Sequence, residues 1–125
     1  MTHSVYFARV GHYVKIGHSG NVRNRLYSIK RAKDWVPGDL DQSAPVELLR
    51  TIPGCTPDDE STIHYLLWDH NAIGEWFHAT DALMSAVASL EYVPDPDRYM
   101  GYAIHRRMQR LVTLSMRRRR LAVSA

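Results

Sequence analysis

The sequence has little cysteine and no long apolar run, and each absence excludes a class of protein. Its 125 residues contain a single cysteine, Cys55, so neither a disulfide framework nor a cysteine-rich zinc site can form within the chain. No stretch reaches the roughly 18 consecutive apolar residues of a membrane span, and the first residues lack the pattern of a secretion signal. We therefore expect a soluble cytoplasmic protein with one domain and a small appendage, and no membrane contact.

Positive charge is scarce in the first three quarters of the chain and concentrated in the last quarter. Residues 1–96 carry 8 Lys and Arg against 12 Asp and Glu, whereas residues 97–125 carry 8 Arg against one Asp. The net charges are therefore −4 and +7. Such asymmetry is typical of a tail that contacts a polyanion. We predict a domain over residues 1–93 and a basic helical C-terminal extension over residues 97–125.

Two short runs near the start favour a β-hairpin. Residues 5–10 and 13–17 are rich in β-branched and aromatic residues, and Gly11-His12 between them suits a two-residue turn. Cross-strand partners then pair Tyr6 with Gly17 and Ala8 with Lys15. Because side chains alternate between faces, one face is apolar and the other holds the unusual chemistry. The apolar face carries Val5, Phe7, Val14 and Ile16; the other carries Tyr6, Ala8, Tyr13 and Lys15.

The rest of the domain alternates helices with one further strand. Ser19 or Asn21 can cap a helix to about Lys33, whose buried stripe would contain Val22, Leu26, Ile29 and Tyr27. A third strand is expected over 46–52, a helix from Thr56 to about Asp69, and another helix from Thr80 or Asp81. The fold class is therefore α/β (α+β): a small, mainly antiparallel three-stranded sheet flanked by helices, plus a C-terminal basic helix.

The order of four short motifs resembles the GIY-YIG nuclease superfamily. Ser4-Val5-Tyr6 stands where the family has Gly-Ile-Tyr, and Lys15-Ile16-Gly17 stands where it has Tyr-Ile-Gly. Arg25 follows at the family's helical distance, and Glu60 matches its metal-binding glutamate. The combination of Glu60-x-x-x-His64 with Gly74-Glu75-Trp76-Phe77 looks like the compact branch found in phage and bacterial proteins. The late asparagine of many members is missing from its expected place, for which Glu75 is the candidate.

The resemblance implies a metal-dependent endonuclease, and the residue types suit that chemistry. Tyr6 is the expected general base if Lys15 on the same face, together with a metal-bound water, lowers the pKa of its phenol. Arg25 is the expected bidentate phosphate clamp. Glu60 is an oxygen ligand suited to one Mg²⁺ or Mn²⁺. Glu75 is a further candidate catalytic residue that would point into the site.

Other residues have a structural and a functional interpretation. His64 lies one helical turn after Glu60, so it can share a ligand or phosphate, or it can be a packed core histidine. His18 and Arg23 are candidate phosphate contacts. Trp76 and Phe77 are expected to fill the core beneath the site.

The extension predicts salt-sensitive, sequence-independent binding to a nucleic acid, with DNA favoured over RNA. Its candidate contacts are Arg106, Arg107, Arg110, Arg117, Arg118, Arg119 and Arg120. Two alternatives stay open: a nucleic-acid-binding module that no longer cleaves, and a scaffold whose basic helix binds an acidic protein. Cutting both strands of a duplex would need a homodimer or two successive nicks.

Overall fold

A computed structural model describes residues 3–31 and 35–94. The strands are β1 Ser4–Val10, β2 Tyr13–Ser19, β3 Val46–Pro53, β4 Asn71–Ile73 and β5 Trp76–His78, and the helices are α1 Val22–Ser28, α2 Pro57–Leu66 and α3 Asp81–Ser89. The strands form one antiparallel sheet in the order β3-β1-β2-β5-β4. The extension over 97–125 and its predicted helix lie outside the described residues. Within the described ranges, no helix is long and apolar enough to cross a membrane.

The hairpin of β1 and β2 has the predicted register. Tyr6 lies opposite Gly17 and Ala8 opposite Lys15. Gly11 begins the turn with a φ of +60°, a left-handed conformation that glycine adopts without a steric penalty. Because side chains alternate along both strands, those of Val5 and Phe7 lie on one face of the hairpin and those of Tyr6 and Ala8 on the other, as predicted.

Each face of the sheet carries its own apolar core. The first core joins the face of Val5 and Phe7 to α2 and α3, through residues that include Ile63, Leu83 and Val87. The second joins the face of Tyr6 to Trp76, to α1 and to the loop after it, which contributes Leu40 and Ala44. Because helices or loops cover both faces, side chains on either face of β1 are buried.

The prediction of a three-stranded sheet is wrong, because β4 and β5 extend it to five strands. Each of these strands has three residues, which is too short for alternating hydrophobicity to identify a strand. They exist because β5 pairs with β2 from Tyr13 to Lys15. Trp76 and Phe77, consecutive in β5, enter the second and the first core respectively, so their predicted burial is confirmed.

The three helices begin where predicted, and α1 and α2 end earlier than predicted. Asn21, Thr56 and Thr80 each accept a hydrogen bond from a backbone N–H of the first turn. The α-helix α1 ends at Ser28 and continues as a 3₁₀ turn over Ile29–Arg31, and α2 is followed by a 3₁₀ turn over Trp68–His70. Tyr27 is 72% exposed, so its placement in the buried stripe was wrong.

Candidate active site

The Tyr6 ring lies against the backbone of Gly17 on the neighbouring strand. A Cβ atom added at Gly17 would lie 2.5 Å from the ring Cζ and 2.8 Å from Cε1 of Tyr6, closer than nonbonded atoms can approach. Because Gly17 has no side chain, the Tyr6 ring can lie over the backbone of β2 at this residue. Only 1% of Tyr6 is exposed, so the site is built around a buried phenol.

His64 attaches α2 to the open edge of β2. Ile16 donates its N–H to the Glu75 carbonyl at 2.9 Å, and its own carbonyl lies 2.7 Å from Nε2 of His64. In an antiparallel sheet the N–H and the carbonyl of one residue point toward the same neighbouring strand. The His64 imidazole therefore binds the Ile16 carbonyl on the side of β2 where β5 pairs, just beyond the last residue of that pairing. Burial lowers the pKa of His64, and the neutral ring donates from Nε2. This contact favours the packed-histidine interpretation of His64.

Glu60, one turn before His64, meets Glu75 from the turn between β4 and β5. Burial, the negative charge of Glu75 and a hydrogen bond with Glu75 together raise the pKa of Glu60 to about 9, and burial is the largest of these causes. Two carboxyl groups can share a hydrogen bond only when one of them is protonated. At neutral pH the pair consequently holds one proton.

Lys15 neutralises the outer carboxylate of this pair. Its Nζ lies 3.7 Å from Oε2 of Glu75 and 5.8 Å from the centre of the Trp76 ring. The Lys15 side chain is 10% exposed, whereas that of Glu75 is 47% exposed. The buried ammonium is therefore held between an aromatic face and a carboxylate that opens onto solvent.

The protein groups around Tyr6 raise the pKa of its phenol. Burial raises it, the charges of Glu75 and Glu60 raise it further, and only Arg25 opposes them. Lys15 is paired with Glu75, so the lowering of the phenol pKa by Lys15 together with a metal-bound water stays a prediction. Arg25, on exposed α1, also lowers the pKa of Glu60, so its guanidinium is the cation that acts on both groups.

The predicted metal ligand has donors of a suitable kind. Within residues 3–31 and 35–94, no group of three or more His, Cys, Asp and Glu side chains could hold a metal ion. Mg²⁺ does not need such a cage, since it keeps several waters and binds through one or two carboxylates. Glu60 and Glu75 supply two hard oxygen donors, and a divalent cation would replace the proton that they share. The donor set therefore fits Mg²⁺ or Mn²⁺ at Glu60, with Glu75 as the second carboxylate.

No family model, curated protein or solved structure matches this chain.

Two other predicted phosphate contacts lie at or beyond the margin of the site. His18 occupies the opposite face of β2 from Tyr6 and stacks on His3 with ring centres 4.6 Å apart; burial lowers its pKa. Arg23 is exposed, but two residues along a helix correspond to a rotation of about 200°, so it faces away from Arg25. The arginines at 106, 107, 110 and 117–120 lie outside the described residues.

One residue beside the site gave no signal in the sequence. Trp35 falls in a segment rich in Pro, Gly and Asp that predicts only a surface loop. It is 74% exposed and has a φ of +59°. Its contact with Gly74, next to Glu75, could be found only from the folded structure.

Proposed function

We propose that this protein is a metal-dependent endonuclease that hydrolyses phosphodiester bonds of DNA. The observation that carries the proposal is the convergence of side chains from separate elements on one buried phenol. Glu60 of α2, Glu75 of the β4–β5 turn and Arg25 of α1 all act electrostatically on Tyr6. These are the residues through which the chain resembles GIY-YIG nucleases, together with the carboxylate that replaces their asparagine.

The arrangement suits hydrolysis of a phosphodiester. Arg25 is exposed and would bind the non-bridging phosphate oxygens. Mg²⁺ or Mn²⁺ at Glu60 and Glu75 would stabilise negative charge on the phosphate and offset the charges that raise the Tyr6 pKa. Tyr6 would first lose its phenolic proton to solvent, with Arg25 then the dominant charge near it. The phenolate would take the proton of the attacking water as the bond from phosphorus to the leaving oxygen breaks. Lys15 orients Glu75, and His64 positions α2 and with it Glu60.

The substrate is expected to enter from the side of Arg25 and Glu75. These two side chains are exposed or half-exposed, whereas Tyr6 and Lys15 beneath them are buried. The basic extension would add sequence-independent contacts to the DNA backbone.

Cleavage of supercoiled plasmid tests the proposal. With Mg²⁺ or Mn²⁺ we expect the wild-type protein to nick the plasmid, and Glu60→Ala and Tyr6→Phe each to lose at least about 100-fold in rate. Tyr13→Phe is the matched control for Tyr6→Phe. Tyr13 lies in β2 on the same face of the sheet as Tyr6, and its hydroxyl donates a hydrogen bond to the exposed Asp39. Glu47→Gln, an exposed change on β3, is the control for Glu60.

The second candidate is a nucleic-acid-binding module without cleavage, and the burial of Tyr6 favours it. A phenol 1% exposed with a raised pKa cannot take a proton until its surroundings change. This candidate predicts no nicking by any variant. It also predicts DNA binding that survives Glu60→Ala and disappears when residues 97–125 are removed.

A further inference from the structure

Trp35 is a large apolar side chain whose position contributes little to the core. It is 74% exposed, although tryptophan is normally well buried on average. The neighbouring Val36 packs against the second core, so the loop could be anchored without an aromatic ring at 35. Packing in the core therefore does not explain why a tryptophan occupies position 35.

The backbone of Trp35 is also in an unfavourable conformation. Its φ of +59° makes it the one non-glycine residue of the described ranges in the left-handed region. A bulky side chain in that region is an outlier, and such outliers persist mainly where they serve a site. Asparagine would adopt this conformation more readily, yet tryptophan is present.

The strained residue lies beside the carboxylate pair. A Cβ at Gly74 would be 3.1 Å from Cβ of Trp35 and 3.5 Å from its carbonyl oxygen, so Trp35 lies directly on this glycine. Because consecutive Cα atoms are 3.8 Å apart, Trp35 Cβ lies within about 8 Å of the Glu75 Cα.

We propose that the Trp35 indole stacks on an unpaired nucleobase of the substrate strand, next to the phosphate bound at Arg25. The inference rests on the proposed function and adds a substrate preference, for single-stranded or locally unpaired DNA. Trp35 adjoins Gly74, the neighbour of Glu75, and Glu75 and Arg25 both act on Tyr6. An exposed aromatic that adjoins a site with an exposed arginine suits the binding of single strands, since every base has a stacking face. Paired bases inside a duplex would be less accessible to the ring.

Binding of short single strands in EDTA tests the proposal without any cleavage. The probes are an oligothymidylate of about 12 nucleotides and an abasic deoxyribose-phosphate strand of equal length and charge. We compare the wild type with Trp35→Phe, which keeps a ring, and Trp35→Asn, which removes the ring and tolerates the backbone conformation. Tyr27→Asn, another exposed aromatic and 72% exposed, is the matched control.

We expect Trp35→Asn to bind oligothymidylate roughly 5- to 150-fold more weakly than the wild type, the range expected for loss of one stacked base. Trp35→Phe and Tyr27→Asn should remain near the wild type, and the abasic strand should bind all four proteins equally. The wild-type fluorescence should be quenched by oligothymidylate, and the difference from Trp35→Phe isolates Trp35 from the other two tryptophans.

Three results would overturn the proposal: equal loss of affinity for both strands in Trp35→Asn, no loss at all, or quenching that depends on protein concentration without DNA. The last would assign Trp35 to self-association. These results are independent of the plasmid assay. A nuclease whose Trp35→Asn variant binds oligothymidylate normally would refute only the stacking inference, whereas base-dependent quenching without nicking would refute only the catalytic proposal.

Discussion

Replacement of Glu60 by glutamine should make the metal-free protein more stable at alkaline pH. In the folded protein the pKa of Glu60 is raised from 4.5 to about 9 by burial and by Glu75. The unfolded chain therefore releases this proton at a lower pH than the folded chain. The bound proton contributes its full share of the unfolding free energy below the pKa that Glu60 has in the unfolded chain. That share is lost as the pH rises through the pKa of about 9 that Glu60 has in the folded protein.

The expected size of the effect follows from linkage. Between pH 7 and 9 the wild type should lose about 2 kcal/mol of unfolding free energy relative to Glu60→Gln, which has no proton to release. This window avoids His18 and His64, whose lowered pKa values affect stability only in the acid range. Comparison of the two proteins at each pH also cancels the contribution of Cys55, whose pKa burial raises.

Urea unfolding in EDTA, followed by tryptophan fluorescence, measures this difference. A change of 2 kcal/mol moves the midpoint by about 1 M urea at the slopes of small domains. Glu47→Gln, with an exposed carboxyl, should track the wild type at every pH. A constant gap between wild type and Glu60→Gln from pH 7 to 9 would refute the shared proton. Mg²⁺ should restore stability at pH 9 to the wild type and not to Glu60→Gln.

Further predictions concern the two residues that support the site and the extension. Gly17→Ala should destabilise the fold by about 1–3 kcal/mol, because the methyl group would overlap the Tyr6 ring; an unchanged urea midpoint would contradict the described packing. His64→Phe should cost about 1–3 kcal/mol by leaving a buried carbonyl without its donor, and a measured cost near zero would show that this bond is not formed. Removal of residues 97–125 should weaken DNA binding and flatten the dependence of its logarithm on salt; an unaltered salt slope would place the DNA contacts elsewhere.

Where a signal was local, the sequence predicted the structure. The register of the hairpin follows from the two-residue turn at Gly11 and the alternation of side chains, and the structure reproduces it. Helix starts at Asn21, Thr56 and Thr80 follow from side chains that cap their own first turn. The sequence also predicted that Tyr6 lies on the face opposite that of Val5 and Phe7, because side chains alternate between the two faces of a strand.

Contacts distant in the sequence were decided by tertiary structure alone. The strands β4 and β5 form only because β2 offers them an edge, and three residues carry no periodic signal. The direction of the Tyr6 pKa depends on which charges surround a buried phenol, and the pairing of Lys15 with Glu75 removes the cation that was expected to act there. The sequence by itself determined which residues line one face of the hairpin; folding determined which of their charges meet, because electrostatic interactions depend on distance and burial that no motif encodes.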